Sequence, residues 1–182
     1  MFAIKAALFP FFFWLPDSYP TAPVAVTAVF AGLLTKVGIY TLIRSTTILG
    51  LDDVRWLLVI AASLTMVVGV VGAIVQSDIK RILSFHIISQ VGYMVMGLAV
   101  STVAGLTGAV LYVVHHIPVK TALVLVGGLI EDATGTGQLH RLGGLVRRAP
   151  VFAVLFIVPA LSLAGMPPFA GFLAKLAVIT AG

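Results

Sequence analysis

The 182-residue chain contains no cysteine and very little charge. Only 9% of its residues are charged, whereas a typical soluble domain has roughly 25%, and 60% are hydrophobic. So little polar surface cannot coat a soluble particle, which argues against a soluble enzyme and against a disordered segment. The absence of cysteine excludes disulfides, thiolate metal sites and iron–sulfur ligation. The composition therefore predicts an integral membrane protein that contacts the lipid bilayer.

Basic residues are in excess, but they are not gathered on one face. The net charge is +5, and the eleven Lys and Arg residues are scattered through apolar sequence. We therefore expect no nucleic-acid partner. The sequence has no Walker loop, no dinucleotide-binding fingerprint and no metal-ligand spacing, so we expect no cofactor and no metal. His115 and His116 are adjacent, and neighbouring residues on a helix point in different directions, which argues against a shared metal.

Long apolar runs predict an all-α integral membrane fold with about six transmembrane helices, since one crossing needs about 20 apolar residues. The alternating pattern of outer-membrane β-strands is missing. We expect the helices at residues 1–14, 24–44, 54–76, 82–100, 103–130 and 150–181. Asp52 and Asp53 are expected at the start of the third helix, where carboxylates are favourable.

Prolines predict interruptions in the first and last of these segments. Proline lacks a backbone donor and clashes with the preceding turn, so we expect helix breaks at Pro10, Pro118, and the pair Pro167 and Pro168. The sequence Leu-Pro-Asp at residues 15–17 is expected to close the first segment. The fifth segment is longer than one crossing requires, which predicts a tilt or a kink. Paired broken helices are typical of transporter ion sites, although a simple packing kink is the alternative.

Four lysines lie inside apolar sequence, where a charge is costly. They are Lys5, Lys36, Lys120 and Lys175. A lysine at the centre of a bilayer costs about 2.5–3.5 kcal/mol on insertion scales. All six acidic residues instead lie at helix ends or in loops, so the lysines have no evident carboxylate partner, except for what Glu131 can reach.

Together with histidines, these lysines suggest a proton path. Lysine in a dry interior gives up its proton more readily than in water, and histidine titrates near neutral pH. His115 and His116 therefore join the four lysines as candidate proton-translocating residues. Simpler interpretations remain: Lys5 can extend to the membrane interface, Lys175 can belong to a solvent-facing helix end, and His86 can be a hydrogen-bonded core residue.

The distribution of basic residues predicts the orientation in the membrane. One set of loops carries Asp17, Lys80, Arg81 and the basic residues of 141–148, which gives it five basic residues against two on the opposite side. Loops rich in Lys and Arg remain in the cytoplasm. We therefore expect these loops to face the cytoplasm of a multi-pass protein in the cell membrane.

Three separated motifs resemble the antiporter-like membrane subunits. They are KAALFPFFFWLPD at 5–17, DIKRILSF with SQVGYM at 78–94, and AGMPPFAGF at 164–172. This superfamily includes the Mrp-type multisubunit Na⁺/H⁺ antiporters and the proton-pumping subunits of NADH:quinone oxidoreductase (complex I). Within it, FWLPDSYPT at 13–21, LLTKVG at 33–38 and ILSFHIISQ at 82–90 look most like the D-type subunits of Mrp antiporters. Lys36 fits the D type, but it also fits two complex I subunits.

The resemblance implies that residues 1–182 are helices seven to twelve of a fourteen-helix fold, part of a longer chain truncated at both ends. It implies that Lys5 is the lysine at the break of the seventh helix, Lys36 the bridging lysine of the eighth, and Lys175 the terminal lysine of the twelfth. His116 and Lys120 would lie on a central polar axis in the eleventh helix. A glutamate that pairs with the Lys5 position in relatives would lie on an earlier helix.

These observations lead to one expected function and two alternatives. The expected function is that of a membrane subunit of a monovalent cation/proton antiporter, which moves H⁺ against Na⁺ or K⁺ together with other subunits of a hetero-oligomeric complex. The first alternative is a proton-pumping subunit of a complex I-like enzyme, which would make it part of a redox-driven assembly. The second is an inactive fragment of either. An antiporter subunit would not itself be an enzyme.

Overall fold

The computed structural model describes residues 1–50 and 55–181, which form α-helices joined by short links. In chain order the helices are α1 Phe2–Ala6, α2 Trp14–Thr21, α3 Val24–Leu49, α4 Arg55–Val75, α5 Ile79–Ala99, α6 Val103–Thr134, α7 Leu145–Arg148, α8 Pro150–Ala164 and α9 Ala170–Ile179. Within residues 55–181, a 3₁₀ turn spans Leu139–Arg141. This arrangement confirms the predicted all-α membrane fold, with four long continuous helices between two broken segments.

The four continuous helices, α3 to α6, are each long and apolar enough to cross a membrane. Of these four, α5 is the most enclosed and α4 the least. Ala62, Thr65, Gly69 and Ala73 form the buried face of α4. Their spacing of three or four residues places them on one side of the helix, and their small size lets α5 approach closely. At Gly69 the two backbones meet, because an added methyl group would overlap the Ser89 nitrogen.

The first segment is broken, but it differs from the prediction in detail. Helix α1 already ends at Ala6, because Ala7 adopts a left-handed conformation at φ 58°. The expectation that residues 15–17 close the segment was wrong, since they lie within α2. Pro16 fits there because it is in the first turn, where the backbone N–H has no partner within the helix.

The last segment is broken between α8 and α9, as predicted. Gly165 ends α8 with φ at 84°, a conformation that favours glycine, and Pro167 and Pro168 follow in the link. Helix α9 then returns against α6. Gly108 of α6 allows this contact, since a methyl group there would lie 3.0 Å from the backbone of Ala177.

Pro118 does not interrupt its helix, so the predicted break at this position was wrong. Helix α6 continues for 32 residues through Pro118 to Thr134. A single proline removes one hydrogen bond of a long helix, and neighbouring helices in a membrane bundle hold the remainder in place.

Two predicted helix ends fell short of the observed ones. Helix α3 ends at Leu49 rather than at residue 44: the hydroxyls of Ser45, Thr46 and Thr47 are satisfied by carbonyls of the preceding turn, and Gly50 ends the helix in a left-handed conformation at φ 61°. Helix α5 begins at Ile79, where the Asp78 carboxylate caps the Arg81 N–H at 3.1 Å. The expected role of Asp52 and Asp53 falls outside the described residues.

The loops that the charge count placed on one side lie at one end of the bundle. The link before α5 pairs with the loop after α6, since the Ile79 N–H donates to the Gly137 carbonyl at 3.0 Å. An ion pair joins Lys80 and Glu131 at 2.6 Å, and Arg81 reaches Asp17 at 3.5 Å. Glu131 therefore reaches Lys80, in the first turn of α5, and not one of the lysines in apolar sequence.

Candidate proton-relay site

A buried group of basic side chains lies where α3 packs against α6. Gly32 allows the close approach of these helices, since a methyl group there would overlap the Thr121 hydroxyl. Lys36 follows Gly32 by one helical turn, and Lys120 precedes Thr121. The Lys36 ammonium lies within electrostatic range of Lys120 and of His116. The packing of α3 on α6 therefore brings together three of the predicted residues.

All three side chains are almost completely enclosed. Lys120 and His116 have no exposed surface, and Lys36 is 3% exposed. The Lys36 ammonium donates to the Ala31 carbonyl at 2.5 Å, on its own helix. Neither the Lys120 ammonium nor either ring nitrogen of His116 has a hydrogen-bond partner among the described residues. Buried polar groups in proteins are nearly always paired, so such a cluster is typical of a functional site.

His86 of α5 extends this group toward the broken segment at the end of the chain. The charges of Lys120 and Lys175 both act on His86, and that of His86 acts on His116. The Nδ1 atom of His86 is buried and has no partner in the described part of the chain. Neighbouring basic groups of α3, α6, α5 and α9 thus form a row, made up of Lys36, Lys120, His116, His86 and Lys175.

The row ends at the break between α8 and α9. There the Lys175 ammonium donates to the Ala164 carbonyl at 3.0 Å, at the end of α8. A positive charge at this position is favourable, because the carbonyls at the C-terminus of a helix carry partial negative charge. The ammonium also lies 5.5 Å from the centre of the Tyr93 ring, within the range of a cation–π interaction.

His115 contacts the same break from α6. Its Nε2 lies 2.9 Å from the Ser162 hydroxyl of α8. Gly171 of α9 fits between these groups, since a methyl group there would lie 2.9 Å from the His115 ring. His115 and His116 therefore face different neighbours, as expected for adjacent residues on a helix.

Lys5 is separate from this row. It is the last basic residue of α1, and its side chain is exposed. Its backbone packs on α3, because a methyl group at Gly38 would lie 2.9 Å from the Lys5 carbonyl carbon. The ion pairs among the described residues are Lys80–Glu131 and Arg81–Asp17, so Lys5, Lys36, Lys120 and Lys175 have no carboxylate partner there.

The whole chain matches one family of membrane proteins. Residues 1–182 match the family described as "NADH:quinone oxidoreductase/Mrp antiporter, TM". The chain belongs to this family. The match confirms the resemblance that the three motifs indicated.

Relatives within the family include antiporter subunits. The chain is 51% identical, over its whole length, to the D-type subunit of the Na(+)/H(+) antiporter of Alkalihalophilus pseudofirmus, of which it covers 37%. Its fold matches a chain in the structure of the Mrp complex from Dietzia sp. DQ12-45-1b with a TM-score of 0.95 and 44% identity. That match covers 99% of this chain and 34% of the other.

A respiratory complex is also similar. A chain of respiratory complex I from Thermus thermophilus with bound NADH matches with a TM-score of 0.92 and 28% identity, over 99% of this chain and 39% of that one. The chain thus spans between about a third and two fifths of the length of these three relatives. Like them, it is a multi-pass membrane protein.

The sequence did not indicate two polar side chains that lie beside the row of basic groups, Tyr93 and Gln90. Tyr93 lies beside Lys175, and Gln90, one turn earlier on α5, accepts a hydrogen bond from the Tyr112 hydroxyl. The two α5 residues are three apart in an apolar helix, a spacing that places both on one face. That spacing could have indicated a polar stripe, although it does not indicate the partner helix.

Proposed function

We propose that this chain forms part of the proton pathway in the D-type subunit of a multisubunit monovalent cation/proton antiporter. The observation that carries the proposal is the row of basic groups in which Lys36, Lys120 and His116 are enclosed and Lys175, at the break, is partly buried. The 51% identity to the D-type subunit of an Na(+)/H(+) antiporter and the 44% identity to a chain of an Mrp complex support it. On this proposal, residues 1–182 are one transmembrane unit of a longer chain.

The chemistry follows from like charges in a poorly hydrated interior. Two ammonium groups close together at low dielectric repel strongly, so a proton on Lys36 disfavours one on Lys120. Successive rather than simultaneous protonation results, with the His116 ring nitrogens able to accept and return a proton between them. Lys175, at the break, would exchange protons with the next part of the pathway. The breaks would admit the water that bridges these groups.

The proposed setting is the cell membrane, within a complex of several subunits. The loops around Asp17, Lys80, Arg81 and residues 141–148 would face the cytoplasm. Their clustering at one end of the bundle and their excess of Lys and Arg support this orientation. H⁺ and Na⁺ or K⁺ would be the transported ions.

Lys36 provides the main test, in the full-length protein assembled with its partners. We expect Lys36→Ala to abolish cation/proton exchange in membrane vesicles, measured as the collapse of a pH gradient on addition of Na⁺ or K⁺. Arg44→Ala is the matched control, because it removes an exposed charge from the same helix and should leave exchange unchanged. Co-purification of the other subunits checks assembly. Undiminished exchange in Lys36→Ala would overturn the assignment.

Lys5 is proposed as a second proton-carrying residue, and the same assay tests its chemistry. Lys5→Ala should be inactive. Lys5→Arg should also fail if the role is reversible protonation, because arginine does not deprotonate in proteins. Full exchange in Lys5→Arg would show that only a fixed positive charge is needed there.

A redox-driven proton pump is the second candidate, and the TM-score of 0.92 to a chain of complex I supports it. The same residues would then carry protons, with the driving reaction in other subunits. The higher identities to the two antiporter relatives favour the first candidate. Exchange driven by a cation gradient alone, without an electron donor, distinguishes the antiporter from the pump.

A further inference from the structure

The break after α1 leaves backbone N–H groups that need acceptors. The Ala7 N–H donates to the Ile4 carbonyl at 3.1 Å, and the Leu8 N–H to the Ala3 carbonyl at 3.0 Å. These two bonds end the helix with the left-handed residue at Ala7. The next donor, the Phe9 N–H, finds no carbonyl on its own segment.

Thr65 supplies the missing acceptor from another helix. The Phe9 N–H donates to the Thr65 hydroxyl oxygen at 2.9 Å, across 56 positions of sequence. Thr65 lies in the middle of α4 and is completely buried. Its hydroxyl donates in turn to the Ala61 carbonyl at 2.5 Å, which fixes the direction of its free lone pairs. The contact is therefore oriented and not an incidental approach.

This contact fixes the backbone that carries Lys5. Phe9 follows Lys5 by four residues, and Gly38 of α3 supports the same turn on another side, against Ala6 and Lys5. The Trp14 indole N–H also donates to the Ile4 carbonyl at 2.9 Å. Of these three supports, only Thr65 acts through one hydroxyl group that a substitution can remove without changing the size of the side chain.

We propose that Thr65 is a positioning residue for proton transfer at Lys5, acting through its hydrogen bond to the Phe9 N–H. This inference rests on the proposed function of Lys5. Without the hydroxyl, the Phe9 N–H is left unpaired, the link 7–13 shifts to find another acceptor, and Lys5 moves with it. Thr65 itself carries no proton in the pathway.

The test compares two substitutions of Thr65 in the full-length protein within its complex. Thr65→Val keeps the branched shape and removes the hydroxyl, while Thr65→Ser keeps the hydroxyl and removes the methyl group. We expect exchange to fall on the order of tenfold in Thr65→Val, since leaving a buried donor unpaired is costly, and to stay near wild type in Thr65→Ser. Thr107→Val is the matched control, because Thr107 is exposed on α6 and bonds only within its own helix.

Hydrogen–deuterium exchange provides a readout that a general loss of stability would not reproduce. We expect faster deuterium uptake in residues 7–11 of Thr65→Val, with uptake in α5 and α6 unchanged, and wild-type uptake in Thr65→Ser. Wild-type transport in Thr65→Val would overturn the inference, and so would equal losses in the Val and Ser variants. Lys5→Ala separates the two proposals: if it remains active, the role of Lys5 fails and the positioning role fails with it. If Lys5→Ala is inactive and Thr65→Val is fully active, only the inference about Thr65 fails.

Discussion

Gly38 is the point at which a single methyl group would push α3 away from the end of α1. Built onto this glycine, a methyl carbon would lie 2.5 Å from the Ala6 nitrogen and 2.9 Å from both the Ala6 α-carbon and the Lys5 carbonyl carbon. Ordinary contacts of such a carbon begin at 3.4 Å. All three neighbours are backbone atoms, so no side-chain rotation relieves the overlap. Gly38→Ala must therefore displace the Lys5 turn by about 1 Å.

Two magnitudes follow from that displacement. Overpacking of this kind typically costs about 1–3 kcal/mol, against the roughly 5–15 kcal/mol by which folded proteins are usually stable. A shift of about 1 Å in a reacting group can slow its reaction on the order of a hundredfold. We therefore expect Gly38→Ala to assemble normally and to exchange cations for protons at about a hundredth of the wild-type rate.

The assay is cation/proton exchange in vesicles that contain the full-length protein with its partners, together with thermal unfolding of the purified complex. Gly143→Ala is the matched control, because a methyl group there meets nothing within 4 Å. It should leave both the rate and the unfolding temperature unchanged. A wild-type exchange rate in Gly38→Ala would refute the reasoning, since either the contact or the role of Lys5 would then be wrong.

Two further predictions concern Lys175 and the loops. Tyr93→Leu removes the aromatic ring near Lys175 and with it about 0.5–2 kcal/mol of cation–π attraction, so exchange in the vesicle assay should slow several-fold. Tyr93→Phe keeps the ring and should exchange at the wild-type rate. Equal loss of exchange in both variants would contradict a cation–π role. Glu131→Gln breaks the partly buried ion pair with Lys80 and should lower the unfolding free energy by about 1 kcal/mol without slowing exchange. A double-mutant cycle with Lys80→Met measures that coupling, and a coupling near zero would contradict it.

The helices could be predicted from sequence because length and apolarity are local properties. The interruption at 165–169 was equally visible, since a glycine and two prolines in close succession leave no helical alternative. Single prolines were less informative. Pro118 lies within α6 and Pro16 lies in the first turn of α2, because the cost of one proline depends on its position in the helix and on the neighbouring helices.

The basic row shows how much of the candidate site could be predicted from the sequence. Charge in an apolar run identified Lys36, Lys120 and His116, and the four-residue spacing of His116 and Lys120 predicts that these two share one helix face. The proximity of Lys36 to them depends on the register of α3 against α6, which Gly32 and Thr121 set by their close contact. Neither residue is unusual in a membrane helix. Which residue of another helix packs against a given side chain depends on two segments of the chain, so the sequence pattern of one helix does not predict it.

Lys5 and Lys175 look equivalent in the sequence, because each lies near a proline break. In the bundle, however, the contacts around the two lysines differ. Lys175 is held by groups that act on its charge, the Ala164 carbonyl and the Tyr93 ring. Around Lys5 the described residues hold only the backbone, through Gly38, the Thr65 hydroxyl and the Trp14 indole, while the side chain is exposed. Substitutions that change the environment of the charge should therefore affect exchange at Lys175. At Lys5, substitutions that move the backbone should have the larger effect.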